Sequence, residues 1–223
     1  MKIAVRGGHC PKVTGASGLI NELIEDRKVK DSVIKYLKEL GHTVLDVTPP
    51  DSTSSSSDDL SYGVDKANNW GADLFVSIHF NNAYITYNAA LGTEVCVYSE
   101  NEVAGRVVNG LAKLGFKNRG QKIRTGLYEL KNTKMKSMII EICFVESMED
   151  VALYQRLGSD KIAKNIAESI ANKKVSTHST TSPGETYYRV ITGSFKDRVT
   201  AEKRKIELES KGFTGVFLEV FKK

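Results

Sequence analysis

The chain has 223 residues, of which 40% are hydrophobic and 26% are charged, and its formal net charge is +5. This length allows one large domain or a main domain with a small appendage, and no apolar stretch approaches the roughly 18 residues that a membrane span requires. Three cysteines, an odd number at wide spacing without a CxxC pair, indicate neither a disulfide framework nor a cysteine zinc site.

The early part of the chain predicts a strand followed by an amphipathic helix. Residues 2–7, KIAVRG, have the apolar content of a strand and lead into a glycine-containing loop. Asn21 is suited to cap a helix that begins at Glu22. Apolar residues then recur at spacings of four, four and three up to Leu40, and Gly41 supplies a stop signal. We therefore predict one helix with a single buried face.

Strand-like and helix-like segments continue to alternate up to about residue 172. Strands are predicted over HTVLDVT, DLFVSIHF, GTEVCVYS and KSMIIEICFVES. Helices are predicted around 60–70, over ENEVAGRVVNGLAKLG, and from about 148 to 172 with an interruption near Gly158. This alternation predicts an α/β fold in which a mostly parallel or mixed sheet is covered by helices on both faces. Ligands of such sheets bind at the carboxyl ends of the strands.

The composition changes after the predicted main domain, residues 1–174. Residues 175–185, VSTHSTTSPGE, are rich in Ser and Thr and predict a flexible linker. Residues 186–223 then predict a strand, a helix and a second strand, which make a small α+β module with nine basic and five acidic residues. Because the acidic residues are interspersed among the basic ones, we expect no nucleic-acid partner.

Four polar residues fall where predicted elements meet one edge of the sheet. His9 follows the first strand, His79 lies near the end of DLFVSIHF, Glu22 opens the first helix, and Glu141 interrupts the apolar run MIIEICFV. Because the carboxyl ends of parallel strands share one edge, we expect these side chains to lie close together.

Glu141 is the most informative of these residues. If one face of this strand were exposed to solvent, the residues that share a face with Glu141 should be polar as well. Ile139 and Cys143, two positions away on either side, are apolar. An ionised carboxylate is costly to bury unless it is paired, hydrogen-bonded or close to a cation. A nearby metal ion would offset that cost.

Two imidazoles and a carboxylate suit Zn²⁺. His9, Glu22 and His79 would supply three ligands and leave the fourth tetrahedral position for water, with Glu141 beside the metal as an unligated carboxylate. The spacing differs from the compact HExxH motif of helical zinc sites. Residue types alone therefore leave an alternative open, in which the histidines are hydrogen-bonded surface residues and Glu22 is only a favourable partner of the helix dipole.

The other histidines and Cys10 are weaker ligand candidates. His42 precedes its strand and so falls at the opposite, amino edge of the sheet, and His178 lies in the predicted linker. Cys10 neighbours the first candidate histidine, but adjacent residues generally project in different directions.

These motifs resemble the zinc-dependent N-acetylmuramoyl-L-alanine amidases of bacterial cell-wall lysis, a family that includes phage endolysins. The similarity lies in RGGHC, in GLINELIEDRKVKDSVIKYLKELGHTV, in ADLFVSIHFNN and in MKSMIIEICFVESMEDV, and it covers roughly residues 1–172. The resemblance implies one zinc ion, bacterial peptidoglycan as substrate, and hydrolysis of the amide between the lactyl group of N-acetylmuramic acid and the L-alanine of the stem peptide.

The site residues of that family carry over one by one. Its two histidine ligands fall on His9 and His79, its glutamate ligand on Glu22, and its catalytic glutamate on Glu141. Glu25 is the rival for the glutamate ligand, but the NE dipeptide and the interval to the helix-ending glycine favour Glu22.

Two further positions bear on the resemblance. Asn81 matches the residue after SIHx in the family, and the resemblance implies that it supports the site or contacts substrate. Cys10 stands where many relatives have glycine, which loosens the prediction of the loop but not of the neighbouring ligand.

Residues 186–223 resemble the first half of a sporulation-related repeat (SPOR-like) domain, which binds cell walls. Thirty-eight residues are usually too few to bury a self-sufficient core. We therefore expect this module to pair with a second copy or to dock on the catalytic domain, and we favour a homodimer. The alternative is a degenerate remnant with a purely structural role.

Together these resemblances predict a phage or prophage endolysin. The N-terminus, MKIAVRGGHC, lacks the apolar segment and cleavage site of a secretory signal, so we expect synthesis in the cytoplasm and action on the cell wall after release. A host sporulation or autolytic amidase is the nearest alternative. A non-catalytic peptidoglycan-binding protein is the alternative of a different class.

Overall fold

A computed structural model of the chain describes residues 1–175, 193–213, 216 and 218. The chain divides into two units, Met1–Ser176 and Thr177–Lys223. The strands of the first unit are β1 (Lys2–Gly7), β2 (Thr43–Asp46), β3 (Leu74–Asn81), β4 (Thr93–Val97), β5 (Asn118–Ile123) and β6 (Lys136–Phe144). Its helices are α1 (Glu22–Glu39), α2 (Ser56–Trp70), α3 (Glu102–Lys113), α4 (Tyr128–Asn132), α5 (Met148–Leu157) and α6 (Ser159–Ala171).

The six strands form one sheet in the order β2-β1-β3-β6-β4-β5. All neighbouring strands run parallel except β4 and β6, which are antiparallel. The predicted mostly parallel or mixed sheet is therefore confirmed. Because β1, β3 and β6 are parallel neighbours, their carboxyl ends lie at the same edge of the sheet.

Helices cover both faces of this sheet, as predicted. The larger core contains buried residues of α1, α3, α5 and α6 together with one face of the strands. On the opposite face, α2 packs on Ala4 and Phe75 through Ala67, and α4 packs on Cys96 and Ile139 through Leu130. The two layers differ in size, and the smaller one lies on the side of the sheet that carries the polar residues described below.

Helix α1 has the cap, the buried face and the end that its sequence predicts. The Asn21 side chain accepts a hydrogen bond from the Ile24 N–H at 3.2 Å. Val29 and Val33 are fully buried in the larger core. The helix ends at Glu39, and Gly41 takes a φ of 89°, a left-handed conformation that glycine adopts without strain.

Three details depart from or refine the predicted elements. Strand β5 and the short helix α4 were not predicted. Strand β5 is a polar, half-exposed edge strand, so its sequence has no apolar pattern. The predicted break of the closing helix is confirmed at Gly158, where α5 ends. The strict alternation assumed along β6 is wrong at Cys143: the β3–β6 register shifts after Glu141, and Cys143 packs in the larger core while Ile139 lies on the opposite face.

In the second unit the structure describes one helix, α7 (Arg198–Ser210), as predicted. Asp197 caps it by accepting the Thr200 N–H at 2.8 Å. The linker, apart from Val175, and most of both flanking strand predictions lie outside the described residues, so the strand-helix-strand arrangement remains a prediction. Among the residues that the structure describes, every helix is too short or too polar to cross a bilayer.

Candidate active site

The loop after β1 holds His9 firmly at the carboxyl edge of the sheet. The Gly8 N–H donates to the Ile78 carbonyl at 2.8 Å, and the Arg27 guanidinium donates to the His9 carbonyl at 2.6 Å. His9 itself has a φ of 61°, a left-handed conformation that non-glycine residues adopt infrequently. Such a conformation persists where surrounding contacts fix it, and here those contacts aim the imidazole at the edge of the sheet.

His9, Glu22 and His79 form one cluster, as the sequence predicts. His9 Nε2 lies 3.4 Å from Glu22 Oε2, and His79 Nδ1 lies 3.1 Å from Glu22 Oε1. The two imidazole rings meet edge to face with their centroids 5.0 Å apart. One ligand atom from each residue lies within 4.8 Å of the other two, so a single cation could contact all three.

Two glycines leave the room that this cluster occupies. A Cβ added to Gly8 would overlap the imidazole of His79, and a Cβ added to Gly15 would overlap the Glu22 carboxylate and the His9 ring. The glycines of RGGHC and of the following loop therefore permit the close approach of backbone to side chain at this site.

Glu22 is only 2% exposed and is held by the backbone as well as by the histidines. Its Oε2 accepts the Ala16 N–H at 2.6 Å, and its Oε1 accepts the Phe80 N–H at 2.9 Å. Burial alone would raise the pKa of Glu22, but hydrogen bonds from His79 and His9 and the charges of both rings hold that pKa well below its usual range. Glu22 is therefore an ionised, oriented carboxylate.

The donor set fits Zn²⁺. Two imidazole nitrogens and one carboxylate oxygen are the ligands of many catalytic zinc sites, which keep a fourth position open. Within the described part of the chain, the cluster includes no fourth His, Cys, Asp or Glu. Such a site has the composition of a catalytic centre, since structural zinc sites usually have four protein ligands.

His79 lies in a strongly negative environment. Burial alone would lower its pKa, but the hydrogen bond with Glu22 and the nearby carboxylates of Glu141 and Glu129 raise the pKa of His79 to about 9. Without a metal ion, the imidazole therefore holds a proton at neutral pH. A cation bound at this cluster would compete with that proton, because imidazole coordinates a metal in its neutral form.

Glu141 lies directly beside this cluster. It pairs in register with His79 across β3 and β6, and with Glu94 across β4 and β6. Its side chain is half-buried, and within the described residues its Oε2 is shielded from solvent without a hydrogen-bond partner. Burial, together with the charges of Glu22 and Glu94, raises the pKa of Glu141 to about 7 against the opposing effect of His79. A carboxyl group with such a pKa can both accept and release a proton near neutral pH.

Asn81 is engaged by protein groups at both ends of its amide. Its Nδ2 donates to Glu94 Oε1 at 3.2 Å, and its Oδ1 accepts the Asn82 N–H at 2.9 Å. The other oxygen of Glu94 accepts from Arg119 Nε at 2.6 Å. Asn81 thus helps to fix the carboxylate that adjoins Glu141, while contact with substrate remains a prediction.

The rival ligand Glu25 lies apart from the cluster. Its Oε1 accepts from Lys28 Nζ at 2.7 Å, and its Oε2 accepts from the Tyr154 hydroxyl at 2.8 Å. The one-turn offset along α1 thus directs Glu22 to the histidines and Glu25 to a different set of partners.

The other weak candidates are also placed elsewhere. Cys10 is buried, and its thiol donates to the Thr53 carbonyl with a sulfur–oxygen distance of 3.3 Å. His42 precedes β2, and its Nδ1 lies 3.5 Å from the amino group of Met1 at the amino edge of the sheet. His178 lies outside the described residues.

Sequence reasoning missed several buried polar residues near the site. Glu94 is only 4% exposed although it lies in an apolar strand. Four more are buried on the side of the sheet that carries His79: Arg6 and Ser77 on strands, and Asp59 and Glu129 on the helices that cover them. The one signal that could have pointed to them is the arginine inside the otherwise apolar strand KIAVRG.

The sequence matches two family models. Residues 3–172 match the model described as N-acetylmuramoyl-L-alanine amidase, and residues 156–219 match the SPOR domain model. Because the first match covers most of the chain, the protein belongs to the N-acetylmuramoyl-L-alanine amidase family. The predicted resemblances to the amidase family and to the SPOR domain are confirmed, while zinc dependence remains a prediction. The SPOR match begins within α5 and includes α6, which belong to the first unit.

Individual relatives agree with this assignment. An uncharacterized protein of Clostridium perfringens is 48% identical over 78% of this chain, which spans about half, 53%, of that protein. The N-acetylmuramoyl-L-alanine amidase CwlM of Bacillus licheniformis is 26% identical over 98% of this chain and 85% of its own length. The solved catalytic domain of the CD27L endolysin, which targets Clostridia difficile, is 30% identical with a TM-score of 0.71, covering 78% of this chain and 98% of that domain.

Proposed function

We propose that the protein hydrolyses the amide bond between N-acetylmuramic acid and the L-alanine of the stem peptide in bacterial peptidoglycan. In this proposal His9, Glu22 and His79 hold one zinc ion, and Glu141 is the catalytic proton carrier. The observation that carries it is the convergence of three ligand atoms within 4.8 Å of one another, beside a carboxyl group in register with one of them. Membership of the amidase family supports the substrate and the bond.

The ligand side chains are oriented before any metal binds. Glu22 accepts two backbone N–H groups, and the loop around His9 is fixed by hydrogen bonds, so little side-chain freedom remains to be lost. Zinc, when bound, supplies Lewis acidity that polarises a carbonyl group and lowers the pKa of water towards neutrality. The protein contributes the fixed position of three donor atoms and the neighbouring carboxyl group.

Glu141 moves the proton in this proposal. Its carboxylate accepts a proton from the attacking water as the new carbon–oxygen bond forms at the lactyl carbonyl. It then returns the proton to the nitrogen of L-alanine as the carbon–nitrogen bond breaks, so that the stem peptide leaves with a free amino group. In the metal-free protein the pKa of Glu141 is raised to about 7. Its register pairing with His79 places the carboxyl group beside the site for both transfers.

The bond specificity can be tested directly on purified cell walls. The full chain is incubated with peptidoglycan, and the soluble products are analysed by mass spectrometry and by labelling of new amino termini. We expect stem peptides with free L-alanine and glycan strands that keep their lactyl carboxyl groups. New reducing sugar ends, or new amino termini at other residues, would contradict the proposed bond. Binding without any product would favour the non-catalytic wall-binding protein.

We also infer that the protein acts as a phage or prophage endolysin. Its similarity to the CD27L endolysin catalytic domain supports this reading, whereas the similarity to CwlM fits a bacterial amidase as well. The test is expression in the cytoplasm of a Gram-positive host with and without a co-expressed phage holin. An endolysin lyses the cells only when the pore opens. Lysis that does not depend on the holin would favour a host autolytic or sporulation amidase.

We further propose that residues 1–174 form the catalytic domain, residues 175–185 form a linker, and residues 186–223 bind the cell wall. The SPOR match supports this role for the last segment. Val199 and Ile206, seven positions apart on one side of α7, are 65% and 63% exposed, and we propose that a homodimer would bury them. Attachment would raise the effective concentration of substrate around the catalytic domain.

Deletion of residues 176–223 tests this division. We expect the truncated protein to keep activity on soluble peptidoglycan fragments and to lose sedimentation with intact walls. Equal wall binding by both forms would contradict the proposed role of the tail. Analytical ultracentrifugation of the full chain separately tests the dimer, for which Val199→Glu and Ile206→Glu are expected to shift a dimer to a monomer.

A further inference from the structure

A buried ionic network lies on the face of the sheet behind the proposed zinc site. Arg6 of β1 is fully buried, and its guanidinium joins two carboxylates from two helices. One nitrogen lies 2.9 Å from Asp59 Oδ2 on α2, and another lies 2.9 Å from Glu129 Oε1 on α4. Arg6 also donates to the backbone carbonyls of Gly7 and Asp59.

Stability alone is a weak explanation for this network. A buried ion pair or triad loses much of its Coulombic gain to desolvation, and apolar residues of similar volume often stabilise a protein as well or better. The same face of the sheet carries ordinary apolar clusters around Phe75 and Ile139, so the fold can pack this layer without charges. The placement of Glu129 therefore invites a functional explanation.

One arm of the network reaches a predicted metal ligand. Ser77 lies two residues before His79 on the same face of β3 and is fully buried. Its Oγ lies 2.9 Å from His79 Nε2 and 3.3 Å from Glu129 Oε1. The second oxygen of Glu129 is 3.9 Å from the same imidazole nitrogen. The chain of contacts thus runs from Arg6 through Glu129 and Ser77 to the ring.

The directions of these hydrogen bonds follow from the chemistry of the end groups. Glu129 is a carboxylate paired with Arg6, so it accepts, and the Ser77 hydroxyl must donate to it. The oxygen of Ser77 is then free to accept, and the partner that donates is the Nε2–H of His79. This arrangement places the proton of neutral His79 on Nε2 and leaves the lone pair on Nδ1, the nitrogen that lies 3.1 Å from Glu22 Oε1.

We propose that Ser77 and Glu129 are positioning residues that fix the tautomer and the ring orientation of His79 for zinc, with Arg6 holding Glu129 in place. This inference rests on the proposed zinc site. Hydrogen bonds of this kind to the far nitrogen of a ligating histidine typically change metal affinity by about 10–100-fold when they are removed.

Asp59 provides a matched control within the same network. Like Glu129, it is a buried carboxylate 2.9 Å from a nitrogen of Arg6. Unlike Glu129, it has no hydrogen bond to Ser77 or His79 among the described residues. Asp59→Asn and Glu129→Gln therefore both weaken the arginine network, but only the second change reaches the ring.

The test compares zinc affinity with stability in the full chain. Wild type, Ser77→Ala, Glu129→Gln, Asp59→Asn and His79→Ala are stripped of metal. Zinc affinity is then measured by competition with a chromophoric chelator, the visible spectrum of the Co²⁺ form is recorded, and thermal unfolding of the metal-free form is followed.

We expect Ser77→Ala and Glu129→Gln to weaken zinc binding by about 10–100-fold and to alter the Co²⁺ spectrum. Asp59→Asn should destabilise the metal-free protein to a similar extent as Glu129→Gln but keep zinc affinity within about threefold of wild type. Ser77→Ala leaves both ion pairs of Arg6 intact, so this variant still tests the positioning of His79 if Glu129→Gln fails to fold.

The inference would be overturned if Ser77→Ala and Glu129→Gln kept the zinc affinity and the Co²⁺ spectrum of wild type. It would also be overturned if Asp59→Asn lost as much zinc affinity as Glu129→Gln. The underlying site is judged separately. If wild type binds no stoichiometric zinc, or if His79→Ala binds it equally well, the proposed zinc site itself is wrong. If wild type binds zinc through His79 and the positioning variants match it, only the positioning role is wrong.

Discussion

His79 and Glu141 are register partners on the neighbouring parallel strands β3 and β6. Two segments that are far apart in the chain thus place a predicted metal ligand and a half-buried carboxyl group side by side. The sheet fixes this relationship through backbone hydrogen bonds, so it does not depend on loop conformation. Removal of either side chain should therefore affect chemistry more than folding.

Glu141→Gln is expected to abolish hydrolysis while zinc stays bound. The amide keeps the size of the side chain but cannot carry the proton, so turnover should fall by at least about 100-fold. Product release from cell walls and metal content by mass spectrometry are measured on the same sample. A zinc-loaded Glu141→Gln variant that retains substantial activity would contradict the assigned role.

Gly15→Ala is expected to disrupt the ligand cluster. The added methyl group would overlap the Glu22 carboxylate and the His9 ring, so one of them must move. Zinc affinity should fall by about tenfold or more, since metal sites depend on ligand placement. Gly126→Ala is the control, because its Cβ would meet no atom within 4 Å and its φ is not in the left-handed region. Equal zinc affinity of the two variants would show that Gly15 is not needed for the site.

Asp26 is expected to make the metal-free protein less stable as pH rises. It is fully buried, and neither carboxylate oxygen has a hydrogen-bond partner among the described residues. Burial raises the pKa of Asp26 to about 8. Between the unfolded pKa of about 3.9 and this value, the folded protein binds the extra proton, so the free energy of unfolding falls as pH increases.

Asp26→Asn removes that titration. The stability of the variant relative to wild type should therefore increase from pH 5 to pH 8.5, by an amount on the order of a few kcal/mol. Urea unfolding in the presence of a chelator measures the difference at each pH. Asp31→Asn, which changes an exposed carboxyl group on the same helix, serves as the control. A difference for Asp26→Asn that does not vary with pH would contradict the prediction.

Glu146 is expected to hold the loop that follows β3. Its Oε1 accepts the N–H groups of Ala83 and Tyr84 at 2.8 and 3.0 Å, and its Oε2 accepts from the Asn82 side chain at 3.0 Å. Glu146→Ala should cost about 2 kcal/mol in the free energy of unfolding, because several polar groups lose their partner. It should also lower kcat/KM, since this loop begins three residues after His79.

Glu149→Ala is the matched control for that change. Among the described residues, Glu149 accepts a single, exposed hydrogen bond, from the Ala90 N–H at 3.1 Å. Its removal should cost less than about 1 kcal/mol and leave kcat/KM unchanged. Urea unfolding and kinetics on soluble fragments compare the two variants, and an equal effect of both would show that Glu146 has no special role in the loop.

The sequence was sufficient to predict the elements and residues whose signals are local. Helix α1 has an Asn cap, a regular apolar face and a terminal glycine, and the structure shows all three. The convergence of His9, Glu22 and His79 followed from the rule that parallel strands share a carboxyl edge, combined with the motif resemblance.

Other parts of the site could not be predicted because they depend on tertiary contacts. Strand β5 is polar and becomes a strand only through pairing at the edge of the sheet. Glu129 and Asp59 are ordinary helical carboxylates in the sequence, and their burial becomes visible only when α2 and α4 pack around Arg6. The bulge that turns Cys143 into the larger core likewise has no local signal.

The most direct test of the central claim is a zinc titration of the metal-free full chain with hydrolysis as the readout. Release of L-alanine amino termini from purified peptidoglycan is measured at increasing ratios of zinc to protein. The proposed site predicts negligible activity without metal, a linear rise, and a plateau at one zinc per chain. Full activity in the metal-stripped protein, or a wild-type response in a His79→Ala variant, would contradict the claim.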